Sequence, residues 1–99
     1  MREALQRIQE LLDSETPFVV VTLVDEKGST PQDAGSRMLV INSGRHWGTV
    51  GGGRVEAKAL NVAAEFLNES NPTHQTRLVH WSLNKDVGMT CGGSVTLFF

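Results

Sequence analysis

Nine of the ten glycines in this 99-residue chain fall into three short segments, GSTPQDAGSR (28–37), GTVGGGRVE (48–56) and GMTCGGS (88–94). Each segment follows a strand-like run. Glycine serves where the backbone takes a positive φ or approaches something closely. One or two glycines per loop satisfy a tight turn. Three in a row, Gly51 to Gly53, do not improve a turn, and they cost stability through the freedom they give the unfolded chain. The spacing therefore points to loops that do more than reverse the chain.

Residues 2–13 predict a helix, with Leu5, Ile8 and Leu12 recurring at i, i+3 and i+7 on one face. Pro17 ends it, because proline disfavours helical geometry in the residue before it. The β-branched run 18–24 reads as a buried strand, and 25–36 as a connection of turn-forming residues. A second strand over 37–41, a hairpin turn at 42–45 and a returning strand over 46–50 follow. Val55, Ala59, Val62, Ala63, Phe66 and Leu67 then repeat at helical spacing to about Asn68. After a polar break at 69–74, strands are expected over 76–83 and 94–99, separated by the third glycine loop. The order α-β-β-β-α-β-β predicts an α+β fold: one domain over residues 1–99, with a mixed sheet of about five strands covered by two helices.

Composition excludes several functional classes. A formal net charge of −2 with 20% charged residues supplies no basic footprint for nucleic acid. The longest unbroken apolar run, 18–21, is far below the roughly 18 residues of a membrane span. One cysteine makes neither an internal disulfide nor a Cys-only zinc site, and His46, His74 and His80 lack metal-ligand spacing, so no metal site is expected. The amphipathic N-terminus lacks the apolar stretch of a secretory signal, which with the single thiol predicts a reducing cytoplasm.

Each loop has a chemical reading beside a structural one. GTVGGG runs into a helix start, whose free N–H groups seat anions, although it is neither a Walker A loop nor a dinucleotide fingerprint. The same glycines would equally let a strand pack against the helix. Glu56 falls near the third helical position, where the helix dipole favours a carboxylate, and Arg54 reads as a solvated first-turn side chain. Ser29, Thr30, Asp33, Ser36 and Arg37, next to Gly28 and Gly35, suit an oxyanion or polar heterocycle, or else a self-bonded turn. Cys91 precedes Gly92 and Gly93, whose N–H groups can form a small anion-binding nest. A thiolate there is a nucleophile, a soft-metal ligand or a sulfur carrier; otherwise Cys91 is a small apolar residue at a strand start.

Taken together, GSTPQDAGSRMLV, GTVGGGRVE and VGMTCGG resemble, in order, the three signature segments of the N-terminal domain of the XdhC/CoxI family, the accessory proteins of molybdenum hydroxylases such as xanthine dehydrogenase. The resemblance implies binding of a molybdopterin-type molybdenum cofactor, help with its sulfuration, and its insertion into a hydroxylase of the xanthine dehydrogenase type. A sulfur donor protein would be a second partner. It carries Gly28, Ser29, Pro31, Gly35 and Arg37 over from the first segment and Gly48, Gly51, Gly52, Gly53 and Glu56 from the second. Gly88, Cys91, Gly92 and Gly93 come from the third. Many family members have a second cysteine where this chain has Arg54, and typical members continue into a Rossmann-like domain that these 99 residues do not include.

The resulting expectation is a cofactor chaperone rather than an enzyme. Gly28, Ser29, Thr30, Arg37, Gly51, Gly52, Gly53, Glu56, Gly92 and Gly93 bind the cofactor, and Cys91 faces the metal or its sulfur. The alternatives are a small thiol enzyme or sulfur carrier with Cys91 as the catalytic residue, and a non-catalytic assembly domain. The terminal pair Phe98 and Phe99 adds the expectation of a homodimer, which would cover exposed aromatic surface.

Overall fold

In the structure, a computed structural model, residues 1–28, 33–69 and 75–99 are described. Ser29, Thr30 and Pro31, and nearly all of the polar break, lie outside them. The elements are α1 (Arg2–Asp13), β1 (Val19–Lys27), β2 (Arg37–Ile41), β3 (Gly44–Gly48), α2 (Gly53–Leu67), β4 (Leu78–Ser82) and β5 (Ser94–Phe98). The α+β fold with five strands and two helices is therefore as expected.

The strands lie in the order β3-β2-β1-β5-β4, and every neighbouring pair is antiparallel. The expected mixed sheet is thus corrected to a purely antiparallel one. β3 and β4 run the same way, as a strand–helix–strand crossover requires, but α2 carries the chain to the far edge. β3 and β4 are therefore never neighbours.

β1 extends three residues beyond the apolar run. A register shift between Leu23 and Asp25 lets Asp25, Glu26 and Lys27 pair with Thr96, Val95 and Ser94 of β5. Backbone pairing outweighs the polar composition that made these residues read as loop.

Alternation sorts the strand residues onto two faces. Val19, Val21 and Leu23 of β1, Met38 and Val40 of β2, Trp81 of β4, and Val95 and Leu97 of β5 form one core with Val55, Ala59, Ala63 and Phe66 of α2. Leu39, between Met38 and Val40, is buried on the opposite face, where Ala4 and Leu11 of α1 are also buried outside the main core. The expected inner face of α1 is corrected: Leu5 and Leu12 are 57% and 56% exposed, while Ala4 and Leu11 are buried. Ile8 belongs to both apolar triplets, 5-8-12 and 4-8-11, and only docking chooses between them.

Phe99 is 5% exposed, with its ring 6.1 Å from that of Phe66 and 6.4 Å from that of Trp81, whereas Phe98 points away and is 42% exposed. Half of the aromatic pair is therefore satisfied within the domain.

Candidate functional site

Antiparallel order brings the three glycine segments to one end of the sheet. β1 ends where the first begins, β3 ends where the second begins, and β5 starts where the third ends. α2 leaves from this end, so its N-terminus belongs to the same cluster.

Contacts join all three segments in pairs. A Cβ on Gly93 would lie 2.2 Å from the carbonyl oxygen of Lys27, and one on Gly28 would lie 2.8 Å from the Cα of Gly93. The first and third loops thus pack backbone against backbone. Gly48, at φ +75°, would carry a Cβ 2.2 Å from the carbonyl oxygen of Arg37, so the start of β2 lies against the end of β3. The second and third loops are joined by Arg54, whose Nη1 donates to the carbonyl oxygen of Gly88. These approaches exclude any side chain, which is the physical reason for glycine there.

Gly52 is the N-cap of α2, with φ −83° and ψ 163°, and no side chain caps the first turn. The N-terminus of α2 adjoins an open groove of about 400 Å³ lined by Gly52, Gly53, Arg54, Gly88, Met89 and Thr90. Uncapped amides beside a guanidinium make this the electropositive part of the cluster.

Behind the groove, Thr49 ties the triple glycine to the helix. Its Oγ1 lies 2.6 Å from the carbonyl oxygen of Gly51 and accepts a bond from the Gly51 amide at 3.2 Å. It also lies 2.9 Å from Oε1 of Glu56 and can donate to it. Glu56 is half-buried and is the fourth residue of α2, one place later than its spacing implied.

The expected site residues are not all equivalent. Gly52 and Gly53 line the groove, while Gly28 and Gly93 join two loops beside it. Gly51 is buried under Val55, and Gly92 is exposed. Arg37 is turned toward the N-terminus of α1, where Nη1 donates to Sδ of Met1 at 3.5 Å. Cys91 is a free, half-buried thiol packed against the core, and its neighbours Met89 and Thr90, rather than Cys91 itself, line the groove. Among the described residues no group of three His, Cys, Asp or Glu side chains could hold a metal ion, and no helix is long and apolar enough to cross a membrane.

Arg54, Met89, Thr90 and Thr49 were not among the residues expected in the site. A hydroxyl two residues before Gly51 is a local signal for Thr49, because such hydroxyls bond backbone nearby. Nothing in the sequence pairs Arg54 with Gly88, 34 residues on.

Comparison with known proteins agrees with this architecture. A model of the XdhC and CoxI family matches residues 11–81. The chain is 36% identical over 96 residues to the molybdenum cofactor insertion chaperone PaoD of Escherichia coli strain K12, covering 97% of this chain and 30% of that protein. It is also 36% identical over 93 residues to the uncharacterized protein YqeB of the same organism, covering 90% of this chain and 16% of that protein. The chain thus spans less than a third of either relative. A crystal structure described as a xanthine dehydrogenase from Bacillus halodurans has the same fold, with a TM-score of 0.70 at 22% identity over 94% of this chain and 28% of that one.

Proposed function

This chain belongs to the XdhC and CoxI family, and from that premise we propose that its glycine-loop end holds a molybdopterin-type molybdenum cofactor and passes it to a hydroxylase of the xanthine dehydrogenase type. The observation that carries this reading is the gathering of three segments, remote in sequence, at one end of the sheet, where the second and third line one open groove beside Arg54. The relative named as a molybdenum cofactor insertion chaperone supports the same direction.

The residues present suit such a ligand. The uncapped amides at Gly52 and Gly53, with the Arg54 guanidinium, match a phosphate. The half-buried Glu56 carboxylate is an acceptor for N–H donors of a pterin. Gly28, Gly92 and Gly93, with Ser29, Thr30 and Arg37 of the first loop, are proposed to add backbone and polar contacts. Cys91 is the thiol proposed to attend the metal or its terminal sulfur. The bound cofactor would supply a phosphate, a hydrogen-bonding pterin and a dithiolene-held metal. The protein's own part is to hold and shield it. Sulfuration would bring in a sulfur donor protein, in the reducing cytoplasm that a lone free thiol suits. A homodimer completes the proposal.

Anaerobic reconstitution with molybdopterin-type cofactor, followed by gel filtration, tests this. Wild type is expected to retain cofactor and to activate an apo-hydroxylase, and Arg54→Glu is expected to retain at least about tenfold less. Absence of retention by wild type would overturn the reading. Equal retention by wild type and Cys91→Ala would remove the thiol from it. Elution position at several concentrations decides the dimer.

A further inference from the structure

We propose that Thr49 is a positioning residue for this site, acting through Glu56. Its hydroxyl holds one carboxylate oxygen and the Gly51 peptide together, so that Glu56 meets a ligand with a single oxygen free. The inference rests on the reading of the loop end as a cofactor site.

The geometry is specific to a hydroxyl at this position. One oxygen lies within hydrogen-bonding distance of the Gly51 carbonyl at 2.6 Å, Glu56 Oε1 at 2.9 Å and the Gly51 amide at 3.2 Å. A β-branched side chain is stiff at χ1, so the hydroxyl is presented in one direction. Gly51 immediately precedes the N-cap, and fixing its peptide fixes how the chain enters α2. The single hydroxyl proton is shared between the Gly51 carbonyl oxygen and Glu56 Oε1, and no further partner of the Glu56 carboxylate exists among the described residues, so Oε2 is open.

This arrangement divides the ligand chemistry around one helical turn. Arg54 and Glu56 are two residues apart, and side chains at that spacing face different ways on a helix. Arg54 turns to Gly88 of the third loop, and Glu56 turns back to Thr49 of the second. An anionic group is matched by Arg54 and repelled by Glu56, so Glu56 selects a group presenting N–H donors, such as the amino or amide edge of a heterocycle. Thr49 sets which carboxylate oxygen receives it.

The test uses the full chain as wild type, Thr49→Val, Thr49→Ser, Glu56→Gln and the Thr49→Val/Glu56→Gln double variant. Two readouts are independent of any ligand: the ¹³C signal of the Glu56 carboxyl and hydrogen exchange at the Gly51 amide. Thr49→Val is expected to shift the first and to accelerate the second about tenfold, with Thr49→Ser close to wild type. For molybdopterin, Thr49→Val is expected to raise the dissociation constant about tenfold and Thr49→Ser less than about threefold. Adding Thr49→Val to Glu56→Gln should change it by less than about twofold, because residues acting as a unit are not additive. Should Thr49→Val not fold, Thr49→Cys, with a weak donor of similar size, takes its place. Independent, multiplying effects of the two substitutions, or an unmoved Glu56 carboxyl signal in Thr49→Val, would overturn the inference. If wild type retains no molybdopterin, the functional reading fails while the carboxyl signal still decides the role of Thr49.

Discussion

The guanidinium of Arg54 donates to the carbonyl oxygen of Gly88, joining the first turn of α2 to the third glycine loop across 34 residues of sequence. It links one wall of the groove to the other. Arg54→Ala should therefore loosen the third loop without unfolding the domain. Hydrogen exchange at residues 88–91 is expected to rise severalfold, with global stability lowered by less than about 1 kcal/mol because the bond is exposed. Unchanged exchange there would show that the bond does not hold the loop.

Two glycines report whether the loops are packed as described. Gly48→Ala and Gly93→Ala each place a methyl 2.2 Å from a carbonyl oxygen of another segment, so backbone must move. Each is expected to cost more than about 2 kcal/mol in urea unfolding, since such a clash adds to ordinary conformational effects. Gly35→Ala is the control. Gly35 also has a positive φ, +97°, but nothing lies near its added Cβ. Its cost should stay near the 1–2 kcal/mol of left-handed backbone alone.

The two terminal aromatics should behave differently. Phe99→Ala removes a ring packed against Phe66 and Trp81 and is expected to cost about 3 kcal/mol or more. Phe98→Ala removes a ring that is 42% exposed and should cost less than about 1 kcal/mol. Urea titration of both variants, with equal slopes, checks the difference.

α1 offers a test of the docking face. Leu11→Ala should lose about 2 kcal/mol or more, because Leu11 is buried against the sheet. Leu5→Ala, at an exposed position with high helix propensity, should stay within about 0.5 kcal/mol of wild type. A reversed order would restore the 5-8-12 face.

Local chemistry already determined much of this protein. Helical periodicity marked α1 and α2, the β-branched run marked β1, and three glycine clusters marked the loops at which the site is proposed. Those signals are legible because they arise between residues a few positions apart. Other features needed the folded chain. Asp25, Glu26 and Lys27 become strand only because β5 supplies partners, Ala4 rather than Leu5 is buried because α1 docks that way round, and the sheet is antiparallel because α2 crosses to its far edge. Arg54 reads as a solvated side chain until Gly88 is brought beside it, and Cys91 sits half-buried against the core rather than on the groove wall. A contact between distant segments depends on how the whole backbone closes, and no short window of sequence carries that information.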